Sequence, residues 1–253
     1  MCVAAALAPG KDAEASFDWQ GALVEQRTRA ASVGARLLVL EDDDYPAQLR
    51  TIPAPPPFLF LRGELRGEDA LAVALVGSRR ATSYGIQTAE RLAEDLAARG
   101  VTVVSGFARG IDTAAHRGAL RGGGRTVAVL GSGADVIYPS ENRRLVDQVL
   151  KAGALLSQFP MGTPPLQHHF PLRNRTIAGM SLGTVVVEAA EQSGALITAG
   201  HSGELGREVF AVPGSINAAT SRGAHRLIQD GAKLVQGWDD VIAEFPEVWR
   251  RCV

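Results

Sequence analysis

Cysteine is almost absent from this chain of 253 residues: there are two, at positions 2 and 252. Residues so far apart supply neither a metal-ligand spacing nor a disulfide framework. Lysine is scarce too, three residues among 26 basic ones, so arginine carries nearly all of the positive charge. No apolar run is long enough to cross a bilayer. The opening MCVAAALAPGK has no basic segment ahead of its short apolar stretch, which argues against a secretory leader and for a cytoplasmic protein. A formal net charge of −1 excludes a protein that coats nucleic acid by bulk electrostatics, while leaving room for a local basic groove. Chemical signatures are missing as well. There is no GxxxxGK followed by Ser or Thr, and no HExxH. Gly131-Ser132-Gly133 lacks the third glycine of the dinucleotide fingerprint and has no acidic ribose partner at the needed distance. Neither a cofactor nor a metal is expected.

What is present is regular. Apolar residues make up 46% of the chain and charged ones 21%, the balance of a globular core. From residue 70 onward, short apolar runs alternate with segments of helical length. The runs are LAVALV (71–76), VTVVS (101–105), TVAVLG (126–131), ALLSQF (154–159), TVVVEA (184–189) and EVFAVP (208–213). Helices are predicted over 85–99, 111–121, 141–152, 172–181, 196–206 and 222–231. Continuous apolar strands suit a sheet covered on both faces, and strand–helix–strand repetition implies right-handed crossovers. The predicted fold is α/β: a Rossmann-like, doubly wound, mostly parallel sheet over residues 69–245. Residues 1–68 form a small N-terminal extension, partly irregular around Pro53–Pro57, with a strand candidate at Phe58–Leu61 and its first fifteen or so residues disordered. Residues 246–253 are a short tail.

Chemistry concentrates where these strands end. Gly77-Ser78-Arg79-Arg80 follows the first, Ser105-Gly106-Phe107-Ala108-Arg109-Gly110 the second, and Gly131-Ser132-Gly133 the third. Glycines there let a phosphate approach the backbone, and helix starts attract anions. Arg173 and Arg175 flank Asn174 inside a segment that otherwise reads as buried, and buried cations call for an anion or a carboxylate. The strand TVVVEAA ends at Glu188, followed by Gln192-Ser193-Gly194. Arginine offers phosphate a planar fork, although its clustering also fits genomic composition. His168-His169 reads as a polar pair in a groove or on the surface, since adjacent side chains point apart. Asp112 reads as a helix-start acid near the dipole, four residues before His116.

Six ordered stretches, VGSRRATSYG (76–85), SGFARGIDTAAHRGAL (105–120), TVAVLGSGADVIYPSENRRL (126–145), FPLRNRTIAGMS (170–181), VVVEAAEQSGALITA (185–199) and GREVFAVPG (206–214), strongly resemble the DNA-processing protein A family (DprA, also called Smf). The resemblance covers roughly residues 36–245. It implies a non-enzymatic protein that binds and protects single-stranded DNA, forms a homodimer and hands the strand to the RecA recombinase in natural transformation and recombination, with no membrane involved. Carried onto this sequence, Arg79, Arg173 and Arg175 would meet phosphates. The amides of Gly77, Ser78 and Arg79, and of the loop from Ser105 and Gly106 through Arg109 to Gly110, would cradle others. His169 and Asn174 would line the groove, and Phe170 would either stack a base or pack beneath the loop. Glu188 would orient an arginine. The apolar segment Val209–Ile216 with Leu227 and Ile228 would supply the dimer contact.

The departures are minor: Gln158 and His225 stand where many relatives have an acidic residue and an asparagine. The helix-hairpin-helix and winged-helix modules of many relatives have no counterpart before residue 36 or after Phe245, and functions tied to them are not carried over. The rival reading is an enzyme. The segment 179–188 loosely resembles the PGGxGTxxE loop of nucleotide phosphoribohydrolases, in which an arginine and a glutamate act on an N-glycosidic bond, but the PGG portion is missing.

Overall fold

The computed structural model describes residues 18–253. Cys2 and the expected disordered start lie outside that range. The chain opens with helix α1 (Trp19–Ser32), strand β1 (Ala35–Val39), a single turn α2 (Ala47–Arg50) and β2 (Phe58–Gly63). The repeating part follows: β3 (Ala72–Val76), α3 (Ser83–Ala97), β4 (Thr102–Ser105), α4 (Ile111–Arg121), β5 (Thr126–Leu130), α5 (Arg143–Ala152), β6 (Gly153–Ser157), α6 (His169–Gly179), β7 (Gly183–Val186), α7 (Gly194–Glu204), β8 (Glu208–Ala211) and α8 (Arg222–Gln229). A two-residue strand β9 (Lys233–Leu234) and the short helices α9 (Trp238–Ala243) and α10 (Glu247–Arg250) complete it. These last three were not expected; two residues of strand are too few to give a period.

All nine strands share one sheet, in the order β1-β2-β6-β5-β4-β3-β7-β8-β9. The β1–β2 and β2–β6 pairs are antiparallel and the remaining pairs parallel. The extension therefore enters the sheet itself, extending the edge beside β6. β3 shows why the sequence reads as it does. Its side chains alternate between two cores. Val73 and Leu75 meet the apolar stripe Ala89, Leu92, Ala93 and Leu96 of α3, spaced for one helix face. Ala72, Ala74 and Val76 turn to the opposite layer, where Ile177 of α6, Ala195 of α7 and Leu49 of α2 are buried. Both faces are covered, so every residue of β3 is apolar.

The order reverses at β3. The chain winds from β3 outward through β4, β5 and β6, then crosses back through α6 to lay β7 on the other side. Such a switch point splays the flanking loops and opens a crevice at the carboxyl ends of β3 and β7. Behind it, buried Asp69 ties the loop before β3 to the starts of two strands: Thr102 Oγ1 donates to it at 2.7 Å and Arg125 Nε at 2.7 Å. Removing the carboxylate leaves the buried Thr102 hydroxyl without its acceptor, while Arg125, partly exposed, still faces Glu68 at 3.6 Å. Asp69→Ala is therefore expected to lower the unfolding free energy by roughly 1–3 kcal/mol in urea titrations.

Candidate nucleic-acid interface

A cleft of about 490 Å³ fills the crevice between β3 and β7. Gly77, Ser78, Arg79 and Arg80 form one wall, and Ser193 and Gly194 at the start of α7 another. The remaining wall is α6, which presents Phe170, Arg173, Asn174 and Ile177, the spacing of one helical face. A smaller recess adjoins it, sharing Arg79, Phe170 and Arg173 and adding Gly106, Arg109 and Tyr138.

Phe170 stands between two guanidinium groups. The Arg79 Cζ lies 4.7 Å from its ring centroid and the Arg173 Cζ 5.7 Å, with the Tyr138 ring 6.3 Å away. These are cation–π distances. The two arginines differ in kind. Arg79 is exposed and enters none of the ion pairs among the described residues. Arg173 is 4% exposed. Its Nη1 donates to the carbonyls of Gly106 and, at 2.7 Å, Val129, while its Nε donates to Asn174 Oδ1 at 3.1 Å. The partners of this buried cation are thus chiefly backbone carbonyls, with the buried carboxyl of Asp112 close by. Burial draws the Arg173 pKa down to about 10, opposed by Asp112, so it remains a cation at neutral pH. Burial pushes the Asp112 carboxyl upward, against the pull of Arg173. A Cβ on Gly106 would sit 2.6 Å from both Arg173 Nη1 and Asp112 Oδ2, so only glycine fits between them.

Several residues expected at the site lie elsewhere. Ser105 is fully buried and donates to the Leu75 carbonyl at 2.6 Å, which fixes β4 to β3. Gly110 begins α4 at φ +74°, packed behind the Gly77–Arg79 loop where a Cβ would meet the Ser78 carbonyl at 2.2 Å. His169 is buried and stacked on Phe159 at 4.2 Å, while His168 is exposed. Arg175 leaves the cleft altogether, donating to the carbonyls of Pro53 and, at 3.0 Å, Ala54. Two amides expected to cradle phosphate are already engaged: Ser78 N–H donates to the Glu188 carbonyl at 2.7 Å, and Ala108 N–H to Asp112 Oδ2 at 3.3 Å. Arg109 reaches the recess but pairs with Glu141 at 2.6 Å. Glu188 orients no arginine. Its carboxylate accepts from Thr82 N–H at 2.9 Å and Thr82 Oγ1 at 2.5 Å, bracing the start of α3. Nor does it share a cleft with Arg173, so the arginine–glutamate pair of the enzyme reading is not assembled. Asp112 does sit in the first turn of α4, but His116 pairs with Thr126 Oγ1 at 2.7 Å instead. Tyr138 and Gln167 are not marked by the sequence, being single residues in loops, whereas Arg80 carries a signal beside Arg79 at a glycine-rich strand end but is not among the expected site residues.

A family model described as DNA recombination-mediator protein A matches residues 36–246. The chain belongs to that family. DprA from Streptococcus pneumoniae R6 is 48% identical over 204 residues, which are 81% of this chain and 72% of the relative. Protein Smf from Escherichia coli K12 is 43% identical over 235 residues, 92% of this chain and 60% of the relative. Smf from Synechocystis is 41% identical, and the matched part is only 53% of its length. Among solved structures, S. pneumoniae DprA superposes with a TM-score of 0.84 at 42% identity, covering 93% of this chain and 81% of that one. Helicobacter pylori DprA, described for its unique single-stranded DNA binding mode, gives 0.74 at 27% identity, covering 83% and 94%. The matched region contains every residue of the cleft.

Two outcomes are expected from this geometry. The Gly106 and Val129 carbonyls are both met by Nη1 at the far end of the Arg173 guanidinium, which the shorter lysine side chain does not reach in the same place, and lysine also lacks the Nε donor to Asn174. Arg173→Lys should therefore lose roughly 1–3 kcal/mol of stability for each buried carbonyl left unpaired, measured by chemical denaturation. His116 is buried, and burial lowers its pKa from 6.5 to about 3. The unfolded chain binds this proton below pH 6.5 while the folded one stays neutral, so acidification destabilises the fold. Between pH 7 and 5 the wild-type chain should lose about 2 kcal/mol more than His116→Asn in parallel melts.

Proposed function

We propose that the cleft binds single-stranded DNA without breaking any bond, its phosphates running past Arg79 and Arg80 and its bases meeting Phe170 and Tyr138. The observation that carries this reading is the exposed Arg79, in no ion pair among the described residues and laid against Phe170 at the switch point. Single strands are held by such combinations of cation and stacking platform, and an unpaired base offers a face that a duplex hides. The start of α7 adds a positive dipole end at the cleft wall. The S. pneumoniae and H. pylori relatives support the same reading, the second through the binding mode described for it. Protection of incoming DNA, hand-off to RecA and homodimer formation belong to the same proposal, and family membership alone supports them. Residues 69–245 would be the DNA-binding unit.

Arg79 and Arg173 contribute differently. Arg173 builds the wall, whereas Arg79 contacts the ligand. Arg79→Ala is expected to weaken binding to every single-stranded sequence alike and to reduce the log–log salt slope by ~0.7, the value of one phosphate contact. Fluorescence anisotropy at several salt concentrations reads both quantities. An unchanged slope, or equal affinity for duplex and single strand, would count against the cleft.

A further inference from the structure

A second cleft, of about 390 Å³, opens next to the first residues of α3. Thr82 and Tyr84 line it together with Glu188 at the end of β7 and the Pro213–Ser215 turn after β8. Tyr84 is half exposed, yet its hydroxyl donates to the Pro213 carbonyl at 2.8 Å. A tyrosine whose polar tip is engaged internally presents chiefly its ring. Glu188 below is 3% exposed and committed to Thr82, so it lends the mouth little charge. Arg80, exposed and absent from the ion pairs among the described residues, lines the main cleft, and Thr82, two residues further along the same loop, lines the second. One loop thus carries an unpaired cation at one cleft and, four residues on, an anchored aromatic ring at the other.

We propose that this second cleft is a base-stacking subsite, in which Tyr84 receives a nucleobase of the same strand whose phosphates pass Arg79 and Arg80. The proposal rests on the single-strand reading of the main cleft. The volume lies within the roughly 300–1,000 Å³ range of small-ligand sites. A ring already held in place gives up little freedom when a base stacks on it. Stacking is also tolerant of sequence, so the subsite lengthens the footprint without adding specificity.

The test titrates labelled homopolymeric oligonucleotides of roughly 4 and 16 nucleotides, the range of single-strand site sizes, against wild type, Tyr84→Ala, Tyr84→Phe and Arg79→Ala. Tyr84→Ala should weaken the long oligonucleotide roughly 5- to 150-fold, the worth of one stacked base, and leave the short one unchanged. Tyr84→Phe, which keeps the ring, should stay close to wild type. A long strand carrying 5-iodouracil should photo-cross-link to the tryptic peptide spanning residues 81–91 of the wild-type protein. If Arg79→Ala weakens both lengths while Tyr84→Ala weakens neither, the subsite is overturned and the main cleft stands. If Arg79→Ala has no effect either, both fall. Should Tyr84→Ala fail to fold, absence of the wild-type cross-link on residues 81–91 overturns the subsite by itself.

Discussion

The guanidinium of Arg173 is driven beneath the loops at the carboxyl ends of β4 and β5, where it closes hydrogen bonds to Gly106 and Val129 across the sheet edge. A buried cation costs several kcal/mol unless its donors are met, and here they are met by carbonyls whose positions the strands dictate. That requirement propagates. Residue 106 must be glycine, because a Cβ there would collide with Arg173 and Asp112 together. The same helix then presents Phe170, one turn earlier, over Gly131 and against Arg79. Nε and Nη1 of the deepest charge are thus held within the protein and do not wait for a ligand, which fixes this wall of the cleft.

The repeating part of the fold is legible because strands buried on both faces spell continuous apolar runs, and β3 through β8 lie within a few residues of those runs. The antiparallel edge is less so: Phe58–Leu61 reads as a strand, but nothing in four apolar residues says that it pairs with distant β6 as well as with β1, its neighbour in sequence. The site divides along the same line. Gly77, Arg79 and Phe170 are legible from glycine-rich strand ends and from the family resemblance. Ser105 is not, since a hydroxyl at a strand end serves a ligand and a neighbouring carbonyl equally well. Arg175 had a signal that was available. It lies two residues from Arg173 in a segment read as helix, which turns it about 200° away, so the two could never face one groove.

Arg175 serves the extension. Prolines between Pro53 and Pro57 have no N–H to donate, so the stretch is poor in hydrogen-bond donors. Arg175 meets the Pro53 and Ala54 carbonyls from α6, and Arg207 meets Gln48 and Thr51 at 3.1 Å each. Cationic side chains thus do for this segment what a strand ladder does for β2. The result is that α6 is clamped from both sides: Arg173 fastens it to the sheet and Arg175 to the extension. The helix that walls the cleft is therefore among the most constrained elements of the molecule, although its own sequence carries no strong amphipathic stripe.

The same use of arginine bears on how the cleft can work. Arg109, Arg121 and Arg125 pair with carboxylates, and Arg173 is met by carbonyls. Arg79 and Arg80, which enter no ion pair among the described residues, lie where a strand would pass. A cleft that offers a strand two such cations neutralises few phosphates, so counterion release, whose salt dependence grows with each phosphate neutralised, supplies only part of the affinity. The balance must come from contacts that salt does not screen, and the exposed or half-buried rings around the cleft supply them: Phe170, Tyr138 and, one cleft further, Tyr84. Stacking then sets the length of strand that is held, while the arginines set its path.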